Sequence, residues 1–267
     1  MSENFPAGPL CTRKSLTDQF HALGLTRGDT LLVHSSLSSL GWVNGGAEGV
    51  VLALLDVLGE TGTLVVPTHS PDNSDPANWE QPPVPEEWKP IIRETMLPYD
   101  TRTTRSRMMG VIAETVRTWP GAFRSAHPQT SFAAIGPKAE FLMAEHAFDC
   151  AFGERSPLAK LEEVGARVLL LGVGFDRCTA FHLAEYRIPG GTMDNSFAVM
   201  IDRRREWLTV QDTAISGDRF DELGADFEME QHVVRGKIGR ADTRLFALAD
   251  AVAFAQTWLL KNRPYVL

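Results

Sequence analysis

Four short apolar runs constrain this chain more than any other feature: "TLLVHSS" from Thr30, "TLVVPT" from Thr63, "TSFAAIG" from Thr130 and "RVLLLGVG" from Arg167. Each is too short for a typical helix and is continuous rather than alternating, which is how strands buried on both faces read. Helical patterns lie between them, at residues 14–24, 46–59, 107–118, 157–164 and 179–187. Strand and helix therefore alternate, and the pattern predicts α/β layers around an at least partly parallel sheet. Farther on, "SFAVMID" and "EWLTVQD" around a charged "RRR" read as an antiparallel hairpin. Residues 240–260 read as a long closing helix with an apolar stripe of Leu245, Leu248, Ala249, Val252 and Ala253.

A length of 267 residues suits one large α/β domain or two small ones, and enough chain is present to bury a core without staples. Hydrophobic residues at 43% and charged ones at 22% are the mix of a soluble globular protein. The stretch "MSENFPAGPLCTRKS" lacks a basic region followed by an apolar run, and no window reaches the roughly 18 apolar residues that span a bilayer. Cys11, Cys150 and Cys178 are widely spaced without a C-x-x-C pair, so neither a disulfide framework nor a zinc knuckle is indicated. A cytoplasmic protein with no membrane partner is expected. The net charge of −8 argues against nucleic acid, which is bound through basic faces. It suits a cationic ligand, although moderate acidity also simply maintains solubility.

Residues 69–100 depart from the rest, with seven prolines, seven carboxylates against two basic side chains, and Trp79 and Trp88. A long irregular segment inside a compact domain is usually functional or disordered, and two large aromatics favour one that packs. A substrate lid is expected here.

Other stretches carry possible chemistry. "VHSSLSSLGWVNGG" offers small residues, Ser35, Ser36, Ser38 and Ser39, and Gly45 and Gly46 before a helix whose free N–H groups can receive an anion. An ordinary capped connection looks the same. Neither phosphate-loop nor dinucleotide glycine spacing occurs there. In "TRTTRSRMMGVIAETV", Arg102, Arg105 and Arg107 crowd an expected helix start, where exposed cations oppose the macrodipole by ~0.3–1 kcal/mol each. A phosphate-bearing cofactor would relieve that repulsion, with Ser106 and backbone N–H groups as donors; arginines splayed into solvent are the alternative. His127, before a proline, reads as a structural loop histidine.

"TAFHLAEYR" is the sharpest case. It follows the strand "RVLLLGV", with Gly174 available for a turn and Thr179 or Asp176 for a cap. His182 and Glu185, at i and i+3, share a helix face beyond a strand end, where open α/β sheets bind ligands. A helix N-terminus favours neutral imidazole, the form a general base needs. A solvated polar face fits the same spacing. A metal site fits less well, because the spacing is not H-E-x-x-H and His69 and Asp212 cannot be placed beside the pair. No G-x-S-x-G elbow occurs.

In order, these stretches resemble the antibiotic N-acetyltransferases, typified by the aminoglycoside 3-N-acetyltransferases. The matching residues are "HSSLSSLGWVNGG" with "GTLVVPT", "TRSRMMGVIAETV" with "RSAHPQTSFAAIG", and "SPLAKLEEVGARVLLLGV" with "TAFHLAEYR". They cover roughly residues 30–190, with a weaker match in "GKIGRADTRLF". The resemblance implies one domain over residues 1–267, a three-layer α/β fold with a central mixed sheet, distinct from the common acetyltransferase superfamily. It also implies acetyl transfer from acetyl-coenzyme A to an aminoglycoside amine, a role in antibiotic resistance, no metal, and a monomer or homodimer.

Carried onto this sequence, the resemblance makes His182 the general base and Glu185 an acid that orients it or holds substrate. Asp212 is a candidate for the carboxylate behind the imidazole, and the Thr179 hydroxyl or backbone N–H groups are candidate oxyanion donors. Coenzyme A contacts are implied for Ser35, Ser36, Leu37, Thr104, Ser106, Met109 and Gly110; Arg105 and Arg107 are added on the charge argument. Asp72, Asp75, Glu80, Glu86 and Glu87 would draw a polycationic sugar, with Trp79 packed on a ring. Cys178 carries no mark of an activated thiolate. Two alternatives stay open: the same chemistry on a non-antibiotic amine, and a non-catalytic protein that sequesters cations.

Overall fold

The computed structural model describes residues 8–263, so part of the N-terminal stretch lies outside the described residues. Helix α1 (Arg13–Ala22) leads into strand β1 (Thr30–Ser35), helix α2 (Gly46–Leu58) and strand β2 (Thr63–Pro67). The irregular segment carries helix α3 (Lys89–Thr95), and helix α4 (Gly110–Arg117) precedes strands β3 (Phe123–Arg124) and β4 (Phe132–Ile135). Helices α5 (Ala139–Met143) and α6 (Pro157–Glu163) come before strand β5 (Arg167–Leu171) and helix α7 (Ala180–Glu185). Then follow the hairpin β6 (Thr192–Ile201) and β7 (Arg204–Thr213), helix α8 (Phe220–Glu230), strands β8 (Val234–Ile238) and β9 (Ala241–Ala247), and helix α9 (Leu248–Asn262).

The expected runs form the middle of a seven-stranded mixed sheet of order β3-β4-β2-β1-β5-β9-β8. β1 pairs in parallel with β2 and β5, and the outer pairings are antiparallel. The continuous apolar runs follow from two covered faces. Leu31 and Val33 join Phe20, Leu54 and Ile112 in one core, while Leu32 joins Leu158, Phe181 and Phe227 in the other. Burying each such side chain contributes roughly 1.5–3 kcal/mol relative to exposure, so both faces hold the strand in place.

Three local expectations are corrected. Residues 240–260 are not one helix: Ala241–Ala247 is a strand paired with β5 and β8, and the turn before it contains Gly239 at φ +56°. Sheet pairing overrides the helical propensity of this stretch. Helix α9 buries Leu248, Ala251, Val252, Ala255, Trp258 and Leu259, leaving Ala249 and Ala253 exposed. Helix α4 begins at Gly110 rather than 107, because Met108 (φ +63°) and Gly110 (φ +82°) sit in the left-handed region. The sharp turn after β5 falls on Gly172 (φ +69°); Gly174 is extended.

The acidic segment is tied down rather than hung as a free flap. The Asn73 amide exchanges two hydrogen bonds with Ala198 of β6, accepting at 2.9 Å and donating at 3.0 Å. The Tyr99 N–H donates to the same Ala198 carbonyl, and Arg205 of β7 donates to Met96 O at 2.8 Å. At its start, Arg124 donates to Thr68 O at 2.7 Å and Ser70 Oγ at 2.9 Å. No helix among the described residues is long and apolar enough to cross a membrane.

Candidate active site

The C-terminal ends of the parallel strands β1 and β5 open onto a cleft of about 1300 Å³, whose lining includes His34, Ser36, Met109, Phe152, Thr179 and His182. Helix α7 is short because its sequence turns at Arg187 into the Pro-Gly-Gly connection. Its buried face of Ala180, Phe181, Leu183 and Ala184 fixes it on the sheet. That packing presents His182 to the cleft, where its ring stacks on Phe152 at 4.9 Å and leans against Phe220 at 4.9 Å.

His182 Nδ1 donates to Glu185 Oε2 at 2.5 Å. An ionised carboxylate can only accept, so this bond selects the tautomer with Nδ1–H and leaves Nε2 as the basic nitrogen. Glu185 is buried, with 4% of its side chain exposed. Its other oxygen, Oε1, accepts from the Ser216 N–H at 2.9 Å and from Arg263 Nη1. Burying a carboxylate at such a depth costs several kcal/mol unless partners of this kind satisfy its oxygens.

Thr179 occupies the N-cap position of α7 but makes no cap; its hydroxyl shares a hydrogen bond of 3.2 Å with His34 Nε2. Burial pushes the His34 imidazole down to about 3, with His182 nearby acting in the same direction. His69, between Phe132 and Phe152, is likewise held down at about 3 by burial, then by the neighbouring histidines, and its Nε2 has no hydrogen-bond partner. Cys178 lines the same cleft, but burial drives its thiol up to about 12, which removes it as a nucleophile.

Comparison with known proteins decides the family. A family model described as aminoglycoside 3-N-acetyltransferase matches residues 32–260. The chain belongs to this family. It is 46% identical over 253 residues, 94% of this chain and 93% of the relative, to the SPbeta prophage-derived aminoglycoside N(3')-acetyltransferase-like protein YokD of Bacillus subtilis (strain 168). It is 36% identical to the aminoglycoside N(3)-acetyltransferase III of Pseudomonas aeruginosa, covering 93% of each. The crystal structure of YokD superposes with a TM-score of 0.94 at 44% identity, covering 98% of this chain and 96% of that one. An AAC-IIIb structure described as binary with CoASH matches at 0.84 and 33% identity, covering 97% and 99%. An AAC-VIa structure bound to sisomicin matches at 0.85 and 30% identity, covering 97% and 100%.

Within this acetyltransferase fold the expected coenzyme residues divide. Ser35, Ser36, Leu37, Arg107, Met109 and Gly110 line the cleft, together with Gly46 at the start of α2. Thr104, Arg105 and Ser106 are absent from that lining. The Thr104 hydroxyl accepts from Asp100 N–H at 3.0 Å, and Ser106 donates to Glu114 Oε2 at 2.6 Å. Arg105 is exposed, and its carbonyl accepts from Ser70 Oγ. The three arginines precede α4 instead of standing on its first turn, and Arg107 pairs with Asp72 at the cleft.

Asp212 is not the carboxylate behind the imidazole. It is buried on β7, where it accepts from Ala151 N–H at 2.8 Å, Thr213 N–H at 2.7 Å and Tyr186 OH at 2.8 Å. The imidazole is held by Glu185 instead. The expected substrate carboxylates are also placed differently. Asp72 pairs with Arg107 at 2.5 Å, and Asp75 pairs with Arg93 at 2.7 Å while capping a 3-10 turn. Trp79 donates to Ser74 Oγ at 2.9 Å, Glu86 pairs with Lys89, and Glu80 and Glu87 are exposed. From the segment, His69, Pro71 and Ser74 line the cleft, and none of the expected carboxylates or Trp79 does.

His127 is buried and structural: its Nδ1 accepts from Gln129 and Thr130 N–H at 3.2 and 3.1 Å, and its Nε2 meets Phe148 O at 3.2 Å. Among the described residues no group of three or more His, Cys, Asp or Glu is arranged to hold a metal ion. Sequence reasoning missed His34, Phe152, Ser216 and Arg263. His34 alone left a signal, as an imidazole inside an otherwise apolar strand.

Proposed function

We propose that this protein transfers the acetyl group of acetyl-coenzyme A to an amino group of an aminoglycoside, directly, within a ternary complex. The observation that carries the reading is the His182–Glu185 pair facing a cleft whose other wall is the Ser35–Leu37 turn and the Met109–Gly110 entry to α4. Glu185 orients the imidazole, because both of its oxygens are engaged within the protein. His182 Nε2 accepts the proton that the amine must lose before or during attack. The amine nitrogen bonds to the thioester carbon, the carbon–sulfur bond breaks, and the departing thiolate takes up a proton as free coenzyme A.

The helix α2 N-terminus and the serine turn supply N–H and hydroxyl donors suited to a phosphate or a pantetheine amide. The Thr179 hydroxyl, shared with His34 and lining the cleft, is the candidate donor to a developing oxyanion.

A second reading, the same transfer to a different amine, draws on one observation: Asp72 and Asp75 are engaged by arginines and do not line the cleft. Incubation with acetyl-coenzyme A and a panel of aminoglycosides and unrelated amines separates the two, read by thiol release and mass gain of the amine. Acetylated aminoglycoside is expected; acetylation of other amines alone replaces the first reading with the second. His182→Ala is expected to lower turnover at least ~10²-fold with coenzyme A binding kept. Turnover within threefold of the parent would remove His182 from the mechanism.

A further inference from the structure

Arg263 closes α9 and reaches Glu185 across 78 residues of sequence. We infer that Arg263 is a positioning residue for the transfer reaction, holding the carboxylate that holds His182; the inference rests on the base reading given above. Glu185 Oε2 faces His182 Nδ1, and Oε1 faces Arg263 and the Ser216 N–H. The carboxylate is therefore gripped at both ends, and its plane is set by groups outside its own helix.

Arg263 is itself fixed. Its Nη2 donates to Ser216 O at 2.8 Å and Asp218 O at 2.7 Å, and its guanidinium lies 5.8 Å from the centre of the Phe220 ring. The same Phe220 ring leans on His182, so one aromatic side chain spaces both ends of the chain Arg263–Glu185–His182. A planar fork suits this site, because it serves a carboxylate and two carbonyls together; a lysine ammonium would serve them less completely.

The consequence is electrostatic as well as geometric. The Glu185 carboxylate attracts positive charge that develops on the imidazole it holds. The Arg263 charge offsets part of that field. The other titratable and charged groups around His182 do not take over this task. His34 from β1 and His69 after β2 are held down by burial first, with the neighbouring histidines acting in the same direction. Asp212 of β7 is engaged by Ala151, Thr213 and Tyr186, and Arg177, before α7, pairs with Asp176.

The test is the pH profile of kcat/KM from about pH 6 to 9 with one substrate amine, whose own titration is common to every variant. In Arg263→Gln the acid limb is expected to move to higher pH by roughly one unit. The rate at pH 6.5 then falls several-fold, with about tenfold the limit for a one-unit shift, and returns to within about threefold of the parent at pH 9. Arg263→Met keeps an apolar stem over Phe220 and is the second variant, should the glutamine form unfold. Arg263→Lys, which keeps the charge, is expected to restore most of the profile. A limb that stays in place in both neutral variants, or a uniform loss at every pH, overturns the inference. His182→Ala measured alongside keeps the two failures apart: an active His182→Ala enzyme overturns the base reading, whereas an inactive one with unmoved Arg263 profiles overturns only the role of Arg263.

Discussion

Two charged regions of this acetyltransferase face each other in character. Around His182 the charges are few, and the buried carboxylate, Glu185, is satisfied by partners far away in sequence, Arg263 and the Ser216 N–H. In residues 69–100 the charges are many and more exposed, and their partners are local or at the rim, as in Asp75 with Arg93 and Glu86 with Lys89. Exposed pairs contribute little, roughly 0–1 kcal/mol each, whereas a buried charge stripped of its partner costs several. Charge density in sequence is thus a poor guide to where charge has consequences. The acid-rich segment looks electrostatic in sequence, yet the helix α7 pair holds the costlier charges.

Acid provides the largest test of that contrast. His34 and His127 are buried and pushed down by burial to about 3 and about 4. Between those values and the ordinary value near 6.5, the unfolded chain binds protons that the folded chain refuses, so stability is complete above pH 6.5 and lost as pH falls. At pH 5 the two together are expected to cost on the order of 4 kcal/mol relative to pH 7.5. Denaturant unfolding at the two pH values measures it. A difference below about 1 kcal/mol would show that these sites admit protons in the folded state.

Asp212 offers the next largest effect and separates a structural carboxylate from a reacting one. Its three hydrogen bonds tie β7 to Ala151 and Tyr186. Asp212→Ala should lower stability by about 3 kcal/mol, because buried donors lose their acceptor, while turnover of the folded enzyme changes less than about threefold. Thermal melts and turnover are measured on the same preparation, with Asp212→Asn as the milder partner. A turnover loss as deep as that of His182→Ala in a folded Asp212 variant would place Asp212 in the chemistry and dissolve the distinction.

What could be read from sequence divides along the same physical line. Strands β1, β2, β4 and β5 stand out because both of their faces are covered and nearly every residue is apolar. Strand β8, "VRGKI", lies at the sheet edge and alternates, and β9 carries Asp242 and Arg244, so neither presents a continuous run. The His182–Glu185 spacing was legible because i and i+3 share a helix face whatever the fold does. Arg263 was not, since nothing local marks a residue brought in by the packing of α9. Asp212 was misassigned for a related reason: a hairpin's sequence says that a side chain points to one face, not which neighbours that face meets.

The smallest expected effects lie in the acidic segment, and they sharpen its side of the comparison. Asp72 bridges to Arg107 at the cleft rim, with about 60% of each side chain exposed. Asp72→Asn should raise KM for a polycationic aminoglycoside about two- to threefold at low salt, and the difference should shrink in 0.5 M salt, where charges beyond a few ångströms are screened. Glu80, exposed and outside the cleft lining, gives the control: Glu80→Gln should leave KM within about 1.5-fold. Steady-state kinetics at two salt concentrations reads both. Equal increases in the two variants would mean that the segment attracts substrate through its summed field rather than through one rim carboxylate, and position within it would cease to matter.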